Sequence, residues 1–166
     1  METLSRIDTL FFLLINSQLH LPFLDAFFVT ITNGRFWIVP AIAGSVWILK
    51  IDLRRGAWAL ALALVTVAIS DPLASHLLKP LFHRPRPCHP DFLVEGGRFL
   101  MGLKRSGSLP SSHAVNVFAQ AALFSRLYPR SMVYCFVFAG LIGYSRMYVG
   151  VHYPFDVVFG ALTGIC

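Results

Sequence analysis

The chain is short of charge and shorter still of acid. Asp and Glu number eight against 14 Lys and Arg, and charged residues make up 13% of the 166. A soluble domain carries about 25% charged residues, so the deficit argues against one. The few acids also leave no clustered carboxylates of the kind that hold a pair of Mg2+ ions. Cysteine is equally thin: Cys88, Cys135 and Cys166 give neither a paired disulfide framework nor a CxxC spacing. Cys135 falls inside an apolar run and is expected to pack there. No Ala-x-Ala site follows the first apolar stretch, so a cleavable signal peptide is not expected. Repeats and low-complexity tracts are missing too, and one domain over residues 1–166 is expected.

What remains is apolar. Hydrophobic residues reach 56% and the mean hydropathy is +0.66, the composition of a small multi-span membrane protein. Apolar runs at 7–18, 21–32, 36–51, 56–78, 113–128, 131–148 and 153–166 predict an all-α integral-membrane bundle of about six helices. The first run is too short to cross a bilayer, which takes about 20 residues. It is expected as an interfacial helix leading into a short span. The one long polar stretch, residues 79–112, is rich in Pro and Gly and reads as an ordered functional loop. The net charge of +6 raises nucleic acid as a partner, but a nucleic-acid binder carries its cations on a solvated face. Here they occupy short gaps between apolar runs, and no nucleic acid is expected.

Those gaps hold three polar clusters: Lys79-x6-Arg86-Pro87, Pro110-Ser111-Ser112-His113 and Ser145-Arg146-x5-His152-x3-Asp156. Arg86 and Arg146 offer planar forks for two phosphate oxygens at once, and Lys79 a point charge. An Arg or Lys beside a span is usually a snorkelling anchor; three that converge beside two histidines argue for anion binding. Ser111 or Ser112 can cap the helix that follows, whose free N–H groups make an anion site, although a cap alone would also explain them. His113 stands in the first turn, where a leaving oxygen would need a proton. Asp156 lies four residues after His152, so on a helix the two share a face. The carboxylate can then take the Nδ1 proton and leave Nε2 free as a nucleophile. A lone histidine there would be structural; the acid and Arg146 shift that reading. Pro154 fits a first helical position, with His152 near the cap.

Counting crossings places all three clusters on one face of the membrane. The other face collects Lys50, Arg54, Arg55, Arg126 and Arg130 against Asp52 alone, the pattern of cytoplasmic loops. The clusters are therefore expected outside the cytoplasm. Weaker features include Cys88, His89, Asp91 and His83, whose spacing fits no structural zinc pattern. Asp71 and His76 lie inside a predicted span, where ionisable groups default to paired or functional roles. Arg98, Lys104 and Arg105 can meet an anionic headgroup or simply be solvated.

In order and spacing the three clusters resemble the full motif set of the type 2 phosphatidic acid phosphatase (PAP2) superfamily, K-x6-RP, PSGH and SR-x5-H-x3-D. The resemblance implies a metal-independent lipid phosphatase of the bacterial inner membrane, with no cofactor and its site facing the periplasm. It makes His152 the nucleophile that forms a phosphohistidine, Asp156 its orienter and His113 the general acid. Lys79, Arg86, Ser111 and Arg146 become phosphate ligands. One position departs from the pattern: Ser112 stands where the family has Gly, and it can still donate its N–H and add a hydroxyl contact. The implied substrates are lipid A 1-phosphate, undecaprenyl diphosphate and phosphatidylglycerol phosphate. An intramembrane serine hydrolase built on Ser111 or Ser112 with His152 is the alternative, but no G-x-S-x-G elbow is present and the three cations would be idle. A non-catalytic protein that binds or transports phospholipid is a further alternative.

Overall fold

The computed structural model describes residues 2–166. It is an all-helical bundle, with no strand among the described residues. Helix α1 (Glu2–Leu13) continues as a π-helical turn, Leu14–Gln18, and α2 (Pro22–Thr32) follows at a bend of 115°. The expected pair at the N-terminus is therefore bent, and its first helix starts at Glu2 rather than at residue 7. Pro22 sits in the first turn of α2, where its fixed φ suits a helix start and its missing N–H costs nothing. A short 3-10 turn (Gly34–Trp37) leads into α3 (Ile38–Ile51).

The Asp52 carboxylate accepts the N–H of Arg55 at 2.9 Å and so caps α4 (Leu53–Pro72). Pro72 lacks the N–H of a regular ladder, and from there the helix loosens into a π-turn, Leu73–Leu78, before tightening as α5 (Lys79–Phe82). The three pieces form one helix of 30 residues. Lys79, which the sequence assigns to the start of the loop, thus sits on the last turns of a long helix. His83 ends it in the left-handed conformation, φ 47°. The loop that follows returns the chain to α6 (Ser112–Leu127), then α7 (Met132–Tyr148) and α8 (Pro154–Ile165).

Helix α6 is the hub, packed against α4, α7 and α8. Gly160 permits the tight approach of α8: a Cβ there would lie 2.9 Å from the Ser111 carbonyl oxygen and 3.0 Å from the Ala114 Cβ. A small core of Phe28, Ile31, Cys88, Ile142, Tyr148, Val149 and Val151 locks α2 and the loop to the end of α7. The outside is oilier than that core. Trp47, Trp58, Leu64 and Tyr134 are all exposed, and α3 buries no residue at all. Such a coat suits lipid rather than water. Gly34–Ile51 and Leu53–Phe82 are each long and apolar enough to cross a membrane.

The two ends of the bundle differ. At one end Arg55 donates to the Leu127 carbonyl and lies over the Tyr128 ring, 4.7 Å from its centroid. That contact joins the basic 50–55 gap to the basic 126–130 gap. The three motif clusters meet at the other end.

Candidate active site

The motif end holds a cavity of about 430 Å³, lined among others by Lys79, Arg86, Ser112, His113, Arg146 and His152. Six of the eight side chains picked from sequence therefore share one space, although they come from α5, the loop, α6, α7 and the turn before α8. Lys104 adds another cation and Asp71 a carboxylate. Ser111 does not line the cavity. It is fully buried, its Oγ caps α6 by accepting the Ala114 N–H at 3.5 Å, and its own N–H donates to the Asp156 carbonyl at 3.0 Å. Ser112 faces the cavity in its place, with its hydroxyl 3.2 Å from that of Ser75.

His152 is buried at the back of this space, and Arg86 Nη1 lies 3.0 Å from its Nε2. A guanidinium can only donate, so Nε2 accepts and the ring proton sits on Nδ1. Arg86 is held in place by the Val151 carbonyl at 3.0 Å and by the Ser106 carbonyl and hydroxyl at 3.0 and 3.1 Å. Burial, reinforced by the charges of Arg86 and Arg146, pushes the His152 pKa well below its usual value. The imidazole is therefore neutral, as an attacking nitrogen must be.

The Asp156 contact is made differently from the sequence expectation. Tyr153 caps α8 and Pro154 begins it, so His152 lies in the preceding turn and shares no helical face with Asp156. The turn nevertheless brings Nδ1 to 3.4 Å from Asp156 Oδ2. This is a close contact rather than a closed hydrogen bond, and Nδ1 is a buried donor without a partner. Asp156 Oδ2 accepts the Tyr153 N–H at 2.9 Å, and Oδ1 accepts Arg84 Nη1 at 2.9 Å.

Three side chains around the site were not picked from sequence. Thr32 Oγ1 accepts Arg146 Nη1 at 2.5 Å and receives the Ser145 hydroxyl at 3.1 Å. Arg84 bridges Asp156 to Asp8, and its guanidinium lies 4.3 Å from the Tyr153 ring centroid. Asp8 had a visible signal, an acid inside an apolar helical run. Thr32 had none.

The weaker features separate clearly. Asp71 accepts from Asn116 Nδ2 at 2.9 Å within the cavity wall, whereas His76 is not part of that wall. Arg98 pairs with Asp25, and Arg105 pairs with Asp91 at 3.0 Å on the surface. Cys88 is fully buried, and burial raises its thiol pKa. No three His, Cys, Asp or Glu side chains cluster as metal ligands among the described residues. A second, apolar cavity of about 790 Å³ adjoins the first and shares Thr32, Gly34 and His113 with it. His113 thus stands where the polar space meets the apolar one.

Cations and histidines gathered in one cavity at the end of a helical membrane bundle supply what a membrane phosphatase needs, charge to hold a phosphate and groups to move protons. The PAP2 superfamily model matches residues 56–166, and the chain belongs to that family. A lipid A 4'-phosphatase from Bacteroides thetaiotaomicron is 34% identical over 172 aligned residues, spanning 98% of this chain and 74% of the relative. A lipid A 1-phosphatase from Rhizobium etli is 37% identical over 61% of this chain and 44% of its own length. The crystal structure of LpxE from Aquifex aeolicus superposes with a TM-score of 0.70 at 30% identity, covering 93% of this chain and 88% of that one. The chain is a lipid phosphatase of the membrane.

Proposed function

We propose that the enzyme removes the 4'-phosphate of lipid A through a phosphohistidine on His152. The observation that supports the mechanism is the Arg86 N–H aimed at His152 Nε2. It assigns the ring proton to Nδ1, toward Asp156, and the lone pair to the nitrogen on the cavity side. An arriving phosphate takes over Arg86, together with Lys79, Arg146, Lys104 and the Ser112 end of α6, and frees that lone pair. Nε2 then bonds to phosphorus as the P–O ester bond breaks, and His113 gives its proton to the leaving lipid oxygen. Asp156 stabilises the positive charge that appears on the ring. Water, deprotonated by His113, attacks the phosphohistidine; inorganic phosphate leaves and Nε2 regains its lone pair. The cations carry the charge stabilisation that phosphoryl transfer needs, so no metal enters the scheme.

The 4'-phosphate reading rests on the relative that aligns along nearly the whole chain. That alignment takes in α1 and α2, which supply Asp8 and Thr32 to the site. The apolar cavity beside His113 suits the acyl chains of a lipid substrate. The membrane is the bacterial inner membrane, with the motif end outside and the five-cation end in the cytoplasm.

The test is phosphate release from detergent-solubilised lipid A carrying only a 4'- or only a 1-phosphate, from undecaprenyl diphosphate and from phosphatidylglycerol phosphate, with and without EDTA. Preference for the 4'-phosphate, insensitive to EDTA and abolished in His152→Ala, is expected. Acid quenching should trap base-stable, acid-labile phosphate on the protein. Full activity in His152→Ala sinks the mechanism, and preference for another arm sinks the substrate.

A further inference from the structure

Behind the His152–Asp156 pair the polar contacts run on into the N-terminal helix. Asp8 and Asp156 both have fully buried side chains, and one guanidinium lies between them: Arg84 Nη2 is 2.5 Å from Asp8 Oδ2 and Nη1 is 2.9 Å from Asp156 Oδ1. Each acid also grips the first turn of α8. Asp8 Oδ1 accepts the Phe155 N–H at 2.9 Å, and Asp156 Oδ2 accepts the Tyr153 N–H at 2.9 Å. The planar fork of Arg84 therefore fixes both carboxylates relative to one another and to the turn that carries His152. With Oδ1 taken by Arg84, only Oδ2 is left to face His152 Nδ1.

The charges point the same way. Two carboxyls share the one Arg84 guanidinium, so the side of this cluster that meets His152 is acidic. A positive charge develops on the His152 ring once Nε2 has bonded to phosphorus, and the unpartnered Nδ1–H is the group through which Asp156 meets it.

We propose that Asp8 and Arg84 are positioning residues that hold Asp156 toward His152 and set the rate of phosphoryl transfer. Helix α1, which lies outside the family-matched residues 56–166, is then part of the catalytic apparatus. The proposal rests on the reading of His152 as nucleophile, and phosphate trapping on the wild type tests that reading separately. A wild type that traps no phosphate counts against the nucleophile whatever Asp8 does.

The experiment measures kcat, KM and thermal midpoint of the full chain in detergent for Asp8→Asn and Arg84→Lys, each alone and combined with Asp156→Asn. Asp8→Asn should lower kcat by about 10- to 100-fold, by analogy with the loss of groups that orient metal-ligating residues, with KM within about twofold and the fold intact. Arg84→Lys keeps the charge but loses the fork, and its loss should be smaller. In the Asp156→Asn background neither change should matter further, because the group they act through has gone. Equal fold-losses in both backgrounds, or a folded Asp8→Asn with unchanged kcat, would overturn the proposal. Should Asp8→Asn not fold, Arg84→Lys decides alone: it retains the buried charge balance, and an unchanged kcat in it refutes the positioning role.

Discussion

Thr32 Oγ1, at the last residue of α2, lies 2.5 Å from Arg146 Nη1 near the end of α7. The Thr32 carbonyl lies 3.4 Å from the same nitrogen, while Arg146 Nε remains a buried donor with no partner. One edge of the guanidinium is thus anchored to the end of α2. Anchoring an Arg fork in this way lowers the ordering cost when phosphate arrives.

Thr32→Val keeps the shape and removes the acceptor. A hydrogen bond to a charged group contributes about 1.5–3 kcal/mol, so kcat/KM should fall by at least tenfold, mainly through KM. Thr32→Ser should restore most of it. Steady-state rates on a lipid monophosphate decide this, and a Thr32→Val enzyme with wild-type KM would refute it.

His113 sits at the junction of the polar and apolar cavities, where a lipid oxygen would leave. A general acid matters most for a poor leaving group. His113→Ala should therefore cost about 10²- to 10⁴-fold on a lipid alkoxide and far less on an aryl phosphate, whose leaving group needs little protonation. Equal losses on the two substrates would reduce His113 to a phosphate-positioning residue.

Burial and two nearby arginines hold the folded-state pKa of His152 well below its usual value, while the unfolded chain titrates near pH 6.5. Between those limits the unfolded state binds the extra proton, so stability rises with pH across the window. The contribution is complete above about pH 6.5 and is lost as pH falls below it, by at most about 1.4 kcal/mol per pH unit. Thermal midpoints at neutral and mildly acidic pH should therefore drop further in the wild type than in His152→Gln. Identical drops would show that His152 does not carry this dependence.

The helices were legible because a bilayer demands long apolar runs, and the three motif clusters mark their own gaps. Lys79, Arg86, Ser112, His113, Arg146 and His152 line one cavity for that reason: the clusters sit at helix ends, and the bundle brings those ends together. The misread details are backbone ones. Ser111 and Ser112 are both small and polar, and only the geometry of the α6 cap turns the first inward and the second to the cavity. His152 and Asp156 look like a helical pair by number, yet Pro154 starts the helix later and the turn makes the contact. Thr32 was hidden because one hydroxyl at a helix end carries no periodic or compositional signal; its partner lies 114 residues away.

Sidedness can be tested directly, but not through the native thiol nearest the site. Cys88 has no exposed surface and its thiol is pushed up by burial, so it would resist a maleimide on either side of the membrane. Glu95 is exposed in the same loop, and Arg130 is exposed at the opposite end of the bundle. In a background of Cys135→Ser and Cys166→Ser, an impermeant maleimide should label Glu95→Cys in intact spheroplasts. Arg130→Cys should react only after lysis. The physical ground is that Lys50, Arg54, Arg55, Arg126 and Arg130 collect at one end against Asp52, and cations flanking spans are retained in the cytoplasm. The motif end is basic too, but Arg86 and Arg146 are buried there with hydrogen-bonded partners. Those two are therefore poor topology signals, and of the exposed cations at the motif end Arg105 is paired with Asp91. Labelling of Arg130→Cys in intact cells, with Glu95→Cys protected until lysis, would place the active site in the cytoplasm and reverse the assignment.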